Sequence, residues 1–202
     1  MIMITIALTG GIAAGKSVVL EEVSRYSGVR TIEADRLAWG AYRPGTPQYR
    51  NVVELFGEDV LDEKERVNRT KLAQKIFGNQ SKKEKLEQIV HPFVKQRIKE
   101  LITNSQSKDL DLLIFEIPLL FQSPEVDVDL FDRIILVSAD VGTRLQRLIK
   151  RDGLGREEAL KRLRAQELPD GAEERCDYII TTEGSIEETK AQARKMIKRY
   201  LP

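Results

Sequence analysis

Apolar residues along this chain follow two rhythms. Five stretches are short and nearly continuous: Ile2-Met3-Ile4-Thr5-Ile6-Ala7-Leu8, Val29-Arg30-Thr31-Ile32-Glu33, Leu112-Leu113-Ile114-Phe115-Glu116-Ile117-Pro118, Arg133-Ile134-Ile135-Leu136-Val137-Ser138 and Tyr178-Ile179-Ile180-Thr181-Thr182. Runs of that length without alternation predict strands buried on both faces, as in a parallel sheet. Elsewhere apolar residues recur at helical spacing. Val19, Leu20 and Val23 share one face after the first run, and an amphipathic helix is predicted from about Ile186 to Tyr200. Strands alternating with helices imply an α/β fold with a five-stranded parallel sheet.

Two excursions interrupt that alternation. From Gly40 to Ser107 the pattern is helical, with no convincing strand and a Pro-Gly turn at Arg43-Pro44-Gly45-Thr46-Pro47, so it reads as a helical insertion. After the fourth strand, Thr143 to Lys150 is helical, Gly153-Leu154-Gly155 breaks it, and Arg156 to Glu167 resumes. The expected division is a core at about 1–39, 108–146 and 176–202, the insertion at about 40–107 and this helical pair at about 147–175.

Composition narrows the field. A chain of 202 residues suits one domain, or a core with a small insertion. Lys and Arg total 33 against 32 for Asp and Glu, a net charge of +1 that argues against nucleic acid as the main partner. A single cysteine, Cys176, excludes an internal disulfide and a multi-cysteine zinc site; it reads as a small buried hydrophobe, and a reducing cytoplasm fits it. The apolar start is too short to span a bilayer and has no basic flank, so it reads as a first strand; no membrane partner is expected.

Candidate chemistry begins where the first strand ends. LTGGIAAGKS, Leu8 to Ser17, fits G-x-x-x-x-G-K-[ST] as Gly10, Gly11, Ile12, Ala13, Ala14, Gly15, Lys16 and Ser17, with Val18 next. Strand, loop and helix come in the order a phosphate-binding loop requires. Glycines let backbone N–H groups turn inward on phosphate oxygens, and the helix N-terminus adds partial positive charge. Lys16 is then placed to bridge the terminal phosphates of a nucleoside triphosphate, and Ser17 Oγ to ligate Mg²⁺. Arg144, Arg147 and Arg151, at i, i+3 and i+7, share a helix face. Behind a phosphate-binding loop they mark a lid whose mobile arginines close over the nucleotide and stabilise transferring charge. Carboxylates stand at two predicted strand ends, in Glu33-Ala34-Asp35 and at Glu116, where open α/β sheets bind ligands.

Taken together, these marks resemble the dephospho-coenzyme A kinases across nearly the whole chain. The matching stretches are LTGGIAAGKS, IEADRLA (Ile32 to Ala38), RPGTPQY (Arg43 to Tyr49), His91-Pro92, IPLLF (Ile117 to Phe121), RLQRLIKRDGLGREEALKRLRAQ (Arg144 to Gln166) and CDYIITTEGS (Cys176 to Ser185). Ala13-Ala14 stand where the family usually has Gly-Ser, Val18 where it has Thr, Gln122 where it has an acid, Arg144 where it has Gln and Thr182 where it has Asn.

The resemblance implies a three-layer P-loop kinase fold in which the insertion binds substrate and the helical pair is the lid. It implies transfer of the ATP γ-phosphate to the ribose 3′-hydroxyl of dephospho-CoA, with Mg²⁺ as cofactor, by a cytoplasmic monomer or weak homo-oligomer. Asp35 becomes the expected base for the hydroxyl; it is alternatively the N-cap of a helix starting at Arg36, with Glu33 its nearest competitor. Lys16 and Arg147 are the other expected catalytic groups, and Gly10 to Val18 with Arg147 and Arg151 the ATP-binding set. Glu116 either holds Mg²⁺ through water or caps a loop. His91 with Pro92 is expected to end one helix and begin another. Trp39, Tyr42 and Tyr49 either line the substrate path or form the insertion's own core. The alternatives are another small-molecule or nucleotide kinase on the same core, or a nucleotide-dependent switch ATPase.

Overall fold

The apolar runs form β1 (Ile4–Thr9), β2 (Val29–Glu33), β3 (Leu112–Glu116), β4 (Arg133–Ser138) and β5 (Tyr178–Thr181). In the computed structural model they pair as one sheet in the order β2-β3-β1-β4-β5, every neighbouring pair parallel. The structure describes residues 3–106, 109–118, 120–122 and 126–202. The predicted strand start at Ile2, the insertion boundary at Ser107 and Lys108, and Leu119 of the IPLLF stretch lie outside those residues. β2 and β4 have the predicted bounds. β3 stops at Glu116, short of Pro118, which has no N–H to give a ladder.

Strand residues alternate between faces, and both faces are buried. Ile6, Leu8, Leu112, Ile114, Ile135, Val137 and Ile180 form one cluster with Val19 and Val23 of α1 (Lys16–Val23) and with Ala193, Met196 and Ile197 of the C-terminal helix. Ala7, Leu113, Phe115 and Leu136, which alternate with them, are equally inaccessible. Burying an Ile or Leu contributes about 1.5–3 kcal/mol, which is why these runs are continuous rather than alternating.

The described chain forms two compact units, Met1–Glu33 with Ile102–Pro202, and Ala34–Leu101. The second contains α2 (Ala34–Ala41), α3 (Pro47–Phe56), α4 (Arg69–Ile76) and most of α5 (Gln80–Ser105). Thr46 caps α3 by accepting from Tyr49 N at 3.1 Å, with Pro47 at the first helical position, so the Arg-Pro-Gly-Thr-Pro turn is a helix start. The first contains α6 (Val141–Asp152), α7 (Arg156–Ala165) and α8 (Ile186–Lys198). Gly153, at φ 65°, ends α6 within the predicted break.

Two helix boundaries differ from expectation. α2 starts at Ala34, so Asp35 lies inside the first turn and is not the cap of a helix starting at Arg36. α5 passes through His91-Pro92 instead of ending there. Pro92 removes one donor from the ladder, a local loss that the helix of 26 residues sustains with Leu86, Val90, Val94 and Ile98 buried along it.

Candidate active site

The chain leaves β1, the central strand, beside β4 at the sheet's C-terminal edge. Gly10 adopts φ 148° with its Cα against the Val137 carbonyl, where a side chain would overlap backbone oxygen. Gly15, at φ 94°, is the N-cap of α1. Between them Ala13 adopts φ 60°, a left-handed conformation costing an L-residue about 1–2 kcal/mol. Packing accompanies that cost: Ile12 and Ala13 lie against Leu145 and Leu148 of α6 and Ala159 and Leu163 of α7. The pair expected as a lid therefore supports the loop's outer side. Lys16 and Ser17 open α1, and the first N–H groups of a helix have no partner within it.

Lys16 is folded onto the loop. Its ammonium donates to Gly10 O at 2.8 Å and Gly11 O at 3.1 Å, and stands 3.9 Å from Glu116 Oε1. Glu116 reaches this position through register, as the last residue of β3, aligned with Leu8 on one side and Glu33 on the other. A carboxylate beside the loop lysine was foreshadowed in the sequence only by an acid at a strand end.

The arginines do not converge as one face. Arg147 and Arg151 line a cavity of about 260 Å³ together with Ala13, Gly15, Ser17 and Val18. Arg147 Nη1 donates to Thr182 Oγ1 at 2.8 Å and, more distantly, to Ala13 O at 3.5 Å, and Nη2 donates to Thr182 O. Thr182 Oγ1 in turn donates to Ala14 O at 2.8 Å. Arg151 is exposed and pairs with Asp152 at 2.7 Å, a hydrogen bond that raises its pKa further and lowers that of Asp152. Arg144 instead lines a separate cavity of about 210 Å³ with Gly11, Ala14 and Ser138. Its Nη1 lies against Gly11, and its buried Nε has no hydrogen-bond partner among the described residues. A turn of about 100° per residue brings i, i+3 and i+7 near one face, and the loop between the two cavities separates their ends.

In the second unit, Asp35 lies at the edge of a cavity of about 370 Å³ with Trp39, Tyr42, Arg69 and Leu86. The Arg69 guanidinium sits 3.4 Å from the Trp39 ring centroid, and Trp39 is 43 % exposed, so it is not a core residue of the insertion. Burial pushes the Tyr42 hydroxyl pKa up, and the Arg69 charge opposes that rise. Tyr49 donates to Glu65 O at 2.6 Å and so ties α3 to the turn before α4. Arg69, thirty positions from Trp39, had no local signal. Cys176, in the first unit, donates its thiol to Ala172 O at 3.1 Å, and burial raises its pKa to about 11, which leaves it unreactive.

A glycine-bounded loop between the central parallel strand and its helix, closed over a buried lysine and met by an arginine from a helical pair, defines a P-loop protein built to bind and transfer phosphate. The particular family follows from comparison with known proteins. The family model for dephospho-CoA kinase matches residues 4–188, and the chain belongs to that family. A Carboxydothermus hydrogenoformans dephospho-CoA kinase is 36% identical over 200 residues, which are 99% of this chain and 96% of that protein. The crystal structure of TT1252 from Thermus thermophilus superposes with a TM-score of 0.81 at 28% identity, covering 100% of both chains. The Campylobacter jejuni dephospho-CoA kinase shares the fold, with a TM-score of 0.68 at 23% identity over 98% of this chain and 97% of that one. The protein is an ATP-dependent kinase, a transferase of coenzyme A biosynthesis. Among the described residues no helix is long and apolar enough to cross a membrane.

Proposed function

We propose that this chain transfers the γ-phosphate of ATP to the ribose 3′-hydroxyl of dephospho-CoA, the last step in making coenzyme A. The observation that carries the reading is a built phosphate loop, with Lys16 and Arg147 at hand, in a chain that matches the family model over residues 4–188.

ATP lies with its phosphates at the N–H groups that open α1 and with Ser17, Val18, Arg147 and Arg151 around it. Lys16 leaves the Gly10 and Gly11 carbonyls for the β- and γ-phosphates, exchanging neutral acceptors for charged ones. Arg147, already held near the loop, takes up charge that develops on the transferring oxygens. Asp35 orients the ribose hydroxyl and accepts its proton as the bond to phosphorus forms. The second unit binds dephospho-CoA, and the cavity beside Asp35, with its Trp39 and Arg69 pair, offers aromatic and cationic surface to an adenine ring and phosphates.

The oxygen donors near the loop suit Mg²⁺. Ser17 is exposed in the first turn of α1, and Glu116 stands beside Lys16. Ser17 would hold the ion, with Glu116 near enough to do so through water, and Mg²⁺ in such sites keeps several waters and takes substrate phosphates as its other ligands. Bound there, it neutralises charge on the β- and γ-phosphates. A single free thiol fits a cytoplasmic enzyme. ADP release with and without dephospho-CoA tests the assignment: a kinase of this substrate shows strong dependence on the acceptor, whereas a switch ATPase hydrolyses ATP equally in both.

A further inference from the structure

The geometry points to Thr182 as a positioning residue that holds the Arg147 guanidinium and the phosphate loop in one frame. Thr182 follows β5 directly, is 1% exposed, and its backbone N–H donates to Ser138 O at 2.9 Å, so the sheet edge fixes it. A threonine hydroxyl has one proton to give and lone pairs to accept with. Here the proton goes to Ala14 O at 2.8 Å and a lone pair accepts from Arg147 Nη1 at 2.8 Å, while Thr182 O accepts from Nη2. The same side chain packs over Gly15, where a Cβ would stand 3.3 Å from Thr182 Oγ1.

Without Thr182 the contact between Arg147 and the loop reduces to the 3.5 Å approach of Nη1 to Ala13 O, at the limit of a hydrogen bond. Arg147 comes from α6 and Ala14 from the loop after β1, so one hydroxyl registers two elements distant in the chain. A guanidinium has five N–H donors, and those not spent on Thr182 remain for phosphate oxygens in the cavity that Ser17 shares. Thr182 also lines that cavity, but its hydroxyl is spent on Ala14 O and Arg147 and bears on the reaction through those two partners. It therefore affects how well charge is met in the transition state more than how tightly ATP is held.

This inference rests on the role of Arg147 given above, and a double-mutant cycle on the full enzyme separates the two. Thr182→Val keeps the shape and removes the hydroxyl; Thr182→Ser keeps the hydroxyl; each is made alone, and Thr182→Val also with Arg147→Ala. Phosphotransfer from ATP to dephospho-CoA is measured per folded enzyme, with thermal melts alongside and Thr182→Ala in place of Thr182→Val should the latter not fold. Thr182→Val should lower kcat by ~10-fold or more with KM for ATP within ~3-fold, and Thr182→Ser should recover most of the loss. In the Arg147→Ala background, Thr182→Val should cost clearly less than it does alone, because the bond to the guanidinium is already gone and only the one to Ala14 O is left to lose. Equal losses in both backgrounds, or no loss at all while Arg147→Ala is impaired, would overturn the role of Thr182. A silent Arg147→Ala would instead overturn the reading of the arginine itself, and this inference with it.

Discussion

Replacing Lys16 by Met keeps most of the side chain's length and removes only the charge and its donors. With the ammonium go its contacts to Gly10 O at 2.8 Å, Gly11 O at 3.1 Å and the Glu116 carboxylate at 3.9 Å. Hydrogen bonds from a charged group contribute about 1.5–3 kcal/mol each. At an effective dielectric of ~20, opposite charges about 4 Å apart attract by about 4 kcal/mol before desolvation is counted. Relief of burying an ammonium, whose side chain is 10% exposed, offsets much of this. A net loss of about 1–3 kcal/mol follows, which for a chain of this length lowers the melting temperature by roughly 2–12 °C. The catalytic loss is larger. Removing charge stabilisation at a phosphoryl-transfer site should lower turnover by on the order of a thousandfold, about 4 kcal/mol of barrier. The assay is steady-state phosphotransfer to dephospho-CoA at 25 °C with saturating ATP, alongside a thermal melt. Turnover within tenfold of wild type would refute the phosphate role, and an unchanged melt would refute the pinning of the loop.

Three further outcomes are expected. Asp35→Asn should keep ATP affinity and thermal stability while phosphotransfer falls by ~10²-fold or more, since the amide cannot take the proton; lost stability with retained turnover contradicts the base role. Among the arginines, Arg147→Ala should cost the most, ~10- to 1000-fold in turnover, Arg151→Ala less and Arg144→Ala least, because Arg144 lines a different cavity; kinetics of the three variants check the order. Hydrogen bonds from Arg66 and Lys64 lower the Asp62 pKa from 3.8 to about 2. A folded pKa below the unfolded one adds stability that is complete above 3.8 and lost as pH falls through about 2. Melts of wild type and Asp62→Asn should therefore converge over that window, and a constant difference down to its acid end contradicts the assignment.

Much of the first unit was legible in the sequence because its signals are local. Continuous apolar runs mark strands buried on both faces, and the bounds of β2 and β4 follow from where those runs end. The phosphate loop was legible because its glycines answer backbone demands, φ 148° at Gly10 and 94° at Gly15, that few other residues meet. Ala13 breaks that rule at φ 60°, and only packing by α6 and α7 shows what accompanies it. Contacts between distant segments were not legible. Thr182 stands 168 residues from Ala14, and its place at the end of β5 and its departure from the family's usual Asn marked the position without announcing that its hydroxyl orients an arginine. Pro92 misled for a related reason: the local rule against proline in helices was outweighed by tertiary burial along α5.

The position of the transferred phosphate tests the central claim most directly. Enzyme, ATP, Mg²⁺ and dephospho-CoA are incubated, and the products are resolved by mass spectrometry and ³¹P NMR. The account predicts one ADP formed for each dephospho-CoA that gains a phosphate, with the new resonance a monoester on the ribose 3′-oxygen, and little ADP when the acceptor is left out. ADP formed at the same rate without dephospho-CoA, or a phosphate carried elsewhere than the 3′-oxygen, would contradict it.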